Sequence, residues 1–204
     1  MDDFATEEQQ VEAIKRFWRE NGLAIAVGVV LGIGGLYGWR YYNDTQIAEK
    51  EAASAAYETV VATLSAENTA QAEAFVDNNQ DGYSVLTALQ LAKFAVDKND
   101  LESAEKHLRH VATHASDASF KSIANIRIAR IQTAKGEHDA ALATLALVTL
   151  ESFVAQVEDI KGDIYTSLGQ FEQAKTAYTE SLQADGDNRL VQMKLDNLAV
   201  AANG

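Results

Sequence analysis

The longest apolar run of the chain lies between Glu20 and Arg40, where nineteen consecutive residues carry no charge. A helix needs about 20 apolar residues to cross the roughly 30 Å hydrocarbon core of a bilayer. Aromatic residues, which prefer the membrane interface, border the run on both sides: Phe17 and Trp18 before it, and Tyr37, Trp39, Tyr41 and Tyr42 at its end. The pattern therefore predicts a transmembrane helix over residues 21–42.

Two other kinds of segment carry a similar run, namely the core helix of a soluble protein and a cleavable signal peptide. Soluble core helices rarely continue so long without a charge. A signal peptide has a shorter apolar region, followed by a cleavage site of small residues. Here the run is followed by Trp39-Arg40-Tyr41-Tyr42, which offers no such site. We therefore predict an uncleaved membrane anchor.

The basic residues beside this anchor predict its orientation, because Lys and Arg near a span favour the cytoplasmic side. Three precede the run and two follow it: Lys15, Arg16 and Arg19, then Arg40 and Lys50. The balance favours a cytoplasmic segment over residues 1–20. In a bacterium, residues 43–204 would then form a periplasmic domain.

The C-terminal part of the sequence repeats itself with a period close to the about 34 residues of tetratricopeptide repeats, which are helix–turn–helix units. Three equivalent turn residues are spaced 37 and 33 positions apart: Asn99, Gly136 and Gly169. Alanines in the second helices have the same spacing: Ala104, Ala141 and Ala174. Small residues in the first helices also recur: Ala92, Ala129 and Gly162. Small residues at helix crossings allow close packing.

The last unit matches the tetratricopeptide pattern most clearly, with signature residues in order: Gly162, Tyr165, Gly169, Phe171, Ala174 and Tyr178. Lys161 stands where an apolar residue is usual, and no unit ends in proline. The repeats are therefore degenerate, and ordinary antiparallel helices are the alternative. The predicted fold class is all-α: one N-terminal transmembrane helix, then an α-solenoid of degenerate tetratricopeptide-like repeats.

The segments that flank the repeats also show helical spacing. Residues 57–83 are predicted to hold an irregular first helix pair with four residues on one face: Tyr57, Val60, Val61 and Leu64. Near the C-terminus, four apolar residues predict a helix that caps the last repeat: Leu190, Met193, Leu195 and Leu198. Solenoids need such a cap to shield their terminal repeat.

Composition narrows the classes of function. The chain has a formal net charge of −13 and contains neither cysteine nor proline. A chain this acidic is not expected to bind nucleic acid, which requires a positively charged surface. The absence of cysteine excludes disulfides, thiol catalysis and cysteine-ligated metals.

Two local clusters resemble parts of metal sites. One matches the first half of an EF-hand loop: Asp77, Asn79, Asp81 and Gly82. Its twelfth position is Ala88, where a bidentate glutamate is needed. The other is a set of histidines on one helix face: His107, His110 and His114. Three imidazoles can bind zinc or nickel. Because Leu108 and Val111 define the buried side of that helix, we interpret these histidines as a solvated face.

No catalytic motif is recognisable in the sequence. It contains no H-E-x-x-H, no G-x-S-x-G and no P-loop. The many carboxylates are scattered over the predicted helices. We predict that the protein is not an enzyme and has no catalytic residues, cofactor or metal.

Two interaction surfaces are predicted instead. Within the membrane helix, Gly28, Gly32 and Gly35 lie on one face, where small residues let another helix approach; the general abundance of glycine in membrane helices is the alternative explanation. First helices line the concave surface of a repeat array. The repeat register places nine residues along that groove: Leu86, Leu89, Lys93, Ile123, Ile126, Arg130, Gln156, Asp159 and Asp163. The groove would be apolar and basic at one end and acidic at the other.

The stretch QVEAIKRFWRENGLAIAVGVVLGIGGLYGWRYYN at 10–43 and the MKLDNL segment at 193–198 resemble the YfgM family. Its members are bacterial inner-membrane proteins described as ancillary subunits of the SecYEG translocon. The resemblance implies a periplasmic domain at the translocon exit, acting with a membrane-bound folding factor of the PpiD type and handing emerging chains to periplasmic chaperones.

Two functions therefore compete. In the first, the protein is a non-enzymatic scaffold of the translocon that binds partner proteins. In the second, it is a self-assembling adaptor of envelope biogenesis, unrelated to the translocon, whose glycine face and repeats form homo-oligomers.

Overall fold

The computed structural model of the protein describes residues 7–65 and 68–201. Apart from one isolated β-bridge between Ser65 and Asn68, the regular structure of these residues is helical. The helices are α1 (Glu7–Thr63), α2 (Ala70–Asn78), α3 (Gly82–Asp97), α4 (Leu101–His114), α5 (Ala118–Ala134), α6 (His138–Leu145), α7 (Val154–Ser167), α8 (Phe171–Ala184) and α9 (Arg189–Ala201), with one 3-10 turn at Glu151–Phe153. The predicted all-α fold class is confirmed.

Helix α1 contains the predicted membrane segment. Its apolar part is long enough to cross a bilayer, and none of that part is buried inside the protein. The core helix of a soluble protein would be mostly buried, so that alternative does not fit. The chain divides into two compact units between Ala55 and Ala56, and the repeats all belong to the second unit.

The three repeats are the helix pairs α3–α4, α5–α6 and α7–α8, and each pair is joined by the same kind of turn. The turn residues Asn99, Gly136 and Gly169 have φ angles of 59°, 79° and 70°. Each first helix ends in a Schellman motif, in which the residue after the turn residue donates its N–H to a carbonyl of the last helical turn: Asp100 to Ala95 (2.8 Å), Glu137 to Gln132 (2.8 Å) and Gln170 to Tyr165 (2.9 Å). Glycine and asparagine tolerate this left-handed backbone best.

A small residue of each first helix lies sixteen positions before a large buried residue of its second helix. The pairs are Ala92 with Leu108, Ala129 with Leu145 and Gly162 with Tyr178. The third pair is the tightest, because a Cβ added to Gly162 would overlap the Tyr178 ring. Ala104, Ala141 and Ala174 are fully buried, and Tyr165 and Phe171 pack against the cluster that holds Ala174 and Tyr178.

A buried carboxylate links the first repeat to the second. Glu105 of α4 is 8 % exposed and accepts hydrogen bonds from Arg109 (3.2 Å), Gln132 (3.4 Å) and Lys135 (3.2 Å). Burial works against the charged form of Glu105, but Arg109 and Lys135 hold its pKa below the usual range. Ionic contacts thus supplement the apolar packing between α4 and α5.

Helix α9 packs on the last repeat through Leu195 and Leu198, as its sequence predicts, but not through Leu190 and Met193. Val191 and Leu198 are 0 % and 5 % exposed and pack with Tyr178, whereas Leu190 and Met193 are each 60 % exposed. The helix packs on α8. The prediction that Leu190 and Met193 help to shield the last repeat is therefore wrong.

Candidate partner-binding groove

The nine predicted groove residues lie on the three first helices, but the structure brings only some of them together. Leu89 and Lys93 of α3 and Arg130 of α5 line one open groove. This groove, called the α3–α5 groove below, has a volume of 670 Å³. That value lies within the range of roughly 300–1,000 Å³ that is usual for ligand pockets. Its complete lining is Leu89, Gln90, Ala92, Lys93, Val96, Leu101, Leu108, Arg127, Arg130, Ile131 and Ala134.

The α3–α5 groove has an apolar floor and a basic rim. Leu101 and Leu108 of α4 contribute to the floor between the two first helices, and no carboxylate is among the lining residues. Lys93, Arg127 and Arg130 are all exposed side chains at this surface. Within residues 7–65 and 68–201, none of the three cations forms an ion pair. An anion beside the apolar floor would find three uncompensated positive charges.

Sequence reasoning missed Arg127, although a signal for it was present. Arg127 lies three residues before Arg130, which places both on the same face of α5. Two basic residues with this spacing stand out in a domain where residues 41–204 contain 24 acidic and 13 basic side chains.

Ile126 is buried, so the prediction that its side chain lines the groove is wrong. It is 2 % exposed and packs in a core cluster with Leu145 and Ile160. The physical reason is that α5 contacts α4, α6 and α7, which leaves little of its circumference open. Ile123 is half-buried and does not line the groove either.

The other predicted positions on α3 and α7 also lie outside the α3–α5 groove. Leu86 is 37 % exposed on α3, and Gln156 of α7 is half-buried. Neither side chain contributes to the lining.

The predicted acidic end of the groove is occupied by a side chain of α9. Lys194 Nζ lies 2.7 Å from Asp159 Oδ1 and 2.8 Å from Asp163 Oδ2. The Tyr178 hydroxyl donates to the other oxygen of Asp163 at 2.8 Å. Burial lowers the pKa of Lys194, but the hydrogen bonds to the two carboxylates outweigh it and raise that pKa overall. The two carboxylates therefore hold α9 in place and share the positive charge of Lys194.

The acidic loop before α3 forms local structural contacts. Asp81 caps α3 by accepting the Ser84 N–H at 2.8 Å, and Asn79 donates to the Phe75 carbonyl at 2.8 Å. Asp77 pairs with Lys106 at 3.4 Å. These contacts indicate that the loop serves as the turn between α2 and α3.

The interpretation of the three histidines as a solvated face is wrong for His107. His107 is 4 % exposed, and its Nδ1 has no hydrogen-bond partner in the described part of the chain. His110 is half-buried, lies 3.1 Å from the Ser84 hydroxyl and stacks on His114 with ring centroids 4.5 Å apart. Helix α4 is covered by both α3 and α5, which buries positions that the sequence pattern leaves polar.

Because they are buried or half-buried, His107 and His110 make the stability of the folded protein depend on pH. Desolvation lowers the pKa of His107, with a further contribution from Lys106, while the acidic neighbours Glu73, Asp77 and Asp100 oppose it. Desolvation also lowers the pKa of His110, helped by the other two histidines. A histidine protonates at about pH 6.5 in an unfolded chain. The unfolded state therefore binds more protons below that pH, and the folded state loses stability as the pH falls.

Lowering the pH from about 7.5 to about 5.5 is thus expected to lower the thermal unfolding midpoint of the protein, because the histidines of the unfolded chain take up protons in this range. Most carboxylates protonate only at lower pH, so they contribute little to the change. The measurement is circular dichroism of the detergent-solubilised chain. His107→Leu should make the midpoint less dependent on pH. Thr113→Ala, an exposed change on the same helix, is the control. An unchanged dependence in His107→Leu would show that His107 does not carry the effect.

The glycine face of the membrane helix is open in the structure. A Cβ added at Gly28, Gly32 or Gly35 would meet no heavy atom within 4 Å beyond the helix's own nearby backbone. The described residues therefore leave space for another helix beside it.

Comparisons with known proteins identify what the chain is similar to. Residues 15–200 match the family model of a tetratricopeptide repeat-like domain. A protein of Escherichia coli (strain K12), named ancillary SecYEG translocon subunit, is 38 % identical over 98 % of this chain and 100 % of its own length. Proteins with the same name in Haemophilus influenzae and Neisseria gonorrhoeae are 35 % and 26 % identical, each over 94 % of this chain and 97 % of their own.

Proposed function

We infer the function from one premise: this chain belongs to the family of ancillary SecYEG translocon subunits, which carry a tetratricopeptide repeat-like domain. The resemblance to the YfgM family is confirmed. Family membership makes the protein a non-catalytic scaffold with an accessory role at the translocon, as predicted. The full-length match to the relatives carries this conclusion.

We place the chain in the bacterial inner membrane as a single-pass protein, for which family membership and the apolar part of α1 are the support. Residues 1–20 lie in the cytoplasm, 21–42 span the membrane and 43–204 form the periplasmic domain. The cluster of Lys15, Arg16 and Arg19 before the span supports this orientation.

In this proposal the membrane helix docks on the translocon through its glycine face. Gly28, Gly32 and Gly35 let a neighbouring helix approach closely, and packing of this kind drives helix association in lipid. The open space beside these glycines supports the assignment.

The repeat domain would bind partner proteins at the periplasmic exit and link translocation to periplasmic chaperones. A membrane-bound folding factor of the PpiD type is the proposed first partner. The α3–α5 groove supports a binding role, because an apolar floor with polar groups at its rim is the usual form of a recognition site.

In-cell photocrosslinking tests this function. A photoreactive residue at Leu31, within the membrane helix, is expected to capture a translocon subunit. A second at Val96, which is 48 % exposed in the α3–α5 groove, is expected to capture a periplasmic partner. Leu147, which is 66 % exposed and lies outside that groove, is the control position.

The outcomes separate the two candidate functions. Capture of a translocon subunit at Leu31 supports the accessory role. Capture only of a second copy of the chain at Leu31 and Val96 would overturn it and favour the self-assembling adaptor.

A further inference from the structure

We propose that the α3–α5 groove binds a partner segment in which apolar side chains are flanked by carboxylates. This inference rests on the proposed function, because it names the chemistry of the partner that the repeat domain recognises. The occupant is a polypeptide, which inserts its apolar side chains between α3 and α5 and sets its Asp or Glu residues against the basic rim.

The first step of the argument is the distribution of charge. Among the described residues, five cations of the repeats pair with carboxylates: Lys106, Arg109, Lys135, Lys161 and Lys194. The three at the groove do not. Exposed lysines elsewhere, such as Lys121 and Lys175, also have no ion pair in this part of the chain, but the groove brings three cations together with no carboxylate among its lining side chains. Like charges at neighbouring helix positions repel. Lys93, Arg127 and Arg130 therefore form a cluster that has no ion-pair partner among residues 7–65 and 68–201 and that a carboxylate ligand would neutralise.

The second step is the apolar floor beneath that cluster. Leu89 and Leu101 remain half-buried at the groove, and Val96 is 48 % exposed at its edge. An occupant that covered these side chains would remove apolar surface from water, which favours binding. A ligand with charge alone would leave this part of the groove empty.

The third step is the charge of the side chains at the groove and beyond its end at α7. The acidic positions of α7 are held by Lys194 of α9, so the site does not continue there as an open acidic channel. The charged side chains that line the α3–α5 groove are all basic, so a basic segment would be repelled from it. Charge complementarity therefore selects an acidic occupant.

A polypeptide fits this site better than a lipid surface does. Residues 41–204 have a formal charge of −11, from 24 acidic and 13 basic side chains. Such a domain is repelled by the anionic headgroups of a membrane. A membrane presents an extended anionic surface to the whole acidic domain, whereas a single segment brings only a few carboxylates, which lie beside the three cations of the groove.

Peptide binding to the full chain provides the test. The chain is placed in nanodiscs of phosphatidylcholine, and fluorescence anisotropy reports binding of a labelled amphipathic peptide of leucine and glutamate. A peptide with lysine in place of glutamate is the matched probe, and empty nanodiscs correct for partitioning into lipid. We expect the acidic peptide to bind, with an affinity that falls as salt rises, and the basic peptide not to bind.

Two variants test the groove itself. Lys93→Glu with Arg130→Glu is expected to weaken binding of the acidic peptide by roughly tenfold or more, because it reverses two rim charges. Ala134→Trp keeps every charge and fills the groove, so it should also weaken binding. Lys121→Glu with Lys175→Glu makes the same change in net charge at exposed positions outside the groove and should leave binding unchanged. Circular dichroism verifies that each variant is folded.

Each contrary result has a defined meaning. Unchanged binding in both groove variants, or preference for the basic peptide, would overturn the inference. Groove-dependent binding of phosphatidylglycerol vesicles without binding of the acidic peptide would overturn it in favour of a lipid. Photocrosslinking from Leu31 is repeated in the variant with Lys93→Glu and Arg130→Glu. The proposed contact of Leu31 with the translocon lies in the membrane, so capture of the translocon there would show that the accessory role holds even if the groove inference fails.

Discussion

Replacing Gly162 by alanine is expected to lower the free energy of unfolding of the repeat domain by up to about 2 kcal/mol, because overpacking a core usually costs about 1–3 kcal/mol. The new Cβ would overlap the ring of Tyr178, which is 2 % exposed and cannot swing into solvent. The gain in helix propensity, about 1 kcal/mol, offsets only part of this. Urea unfolding of the full chain in detergent, followed by circular dichroism, measures the loss.

A matched change at another helical glycine provides the control. A Cβ added at Gly82 in the first turn of α3 meets no heavy atom within 4 Å. Gly82→Ala should therefore be neutral or slightly stabilising. Equal effects at Gly82 and Gly162 would show that the contact with Tyr178 does not limit the size of residue 162.

The other two repeats indicate how the defect can be repaired. They use alanine and leucine at the positions that Gly162 and Tyr178 occupy in the third. Tyr178→Leu alone loses the hydrogen bond to Asp163 and leaves a cavity. Combined with Gly162→Ala it should cost less than the sum of the single changes, with a coupling energy of roughly 1–2 kcal/mol. Strict additivity would contradict the pairing of the two residues.

Lys194→Met is expected to destabilise the C-terminal end of the repeats by about 1–3 kcal/mol, less than the loss of a fully buried ion-pair partner because these groups are partly exposed. The change leaves Asp159 and Asp163 unpaired, with side chains that are 15 % and 43 % exposed. The two carboxylates then repel each other within α7, and α9 loses its ionic contacts with that helix. Urea unfolding gives the energy, and hydrogen exchange should be fastest in α9.

Lys175→Met is the control for this prediction, because Lys175 is an exposed lysine of α8 without an ion pair in the part of the chain that the structure describes. It should change stability by no more than a few tenths of a kcal/mol, as surface changes usually do. If both lysine variants behaved alike, the contacts of Lys194 with the two carboxylates would contribute nothing to stability.

Three of the nine predicted positions line the α3–α5 groove, so the repeat register predicted only part of the candidate site. Leu89, Lys93 and Arg130 lie in the α3–α5 groove, because first helices carry the concave face of such arrays. The register failed for Ile126, since α5 is covered on three sides, and for Asp159 and Asp163, since a lysine far along the chain reaches them. Periodicity along one helix contains no information about which other helices cover it.

The sequence alone determined the membrane helix, the all-α class and the repeat period of this protein. Each depends on local properties: an uncharged run long enough for a bilayer, helix-forming residues, and turn positions such as Gly136 and Gly169 that favour a left-handed backbone. Only the tertiary structure decided which polar groups are open. In the folded protein Glu105 and His107 are buried, and Lys194 pairs with the α7 carboxylates Asp159 and Asp163. Three cations without ion-pair partners in the described residues line one apolar groove. The physical reason is that exposure and pairing depend on contacts between residues distant in the chain, and these exist only once the helices have packed.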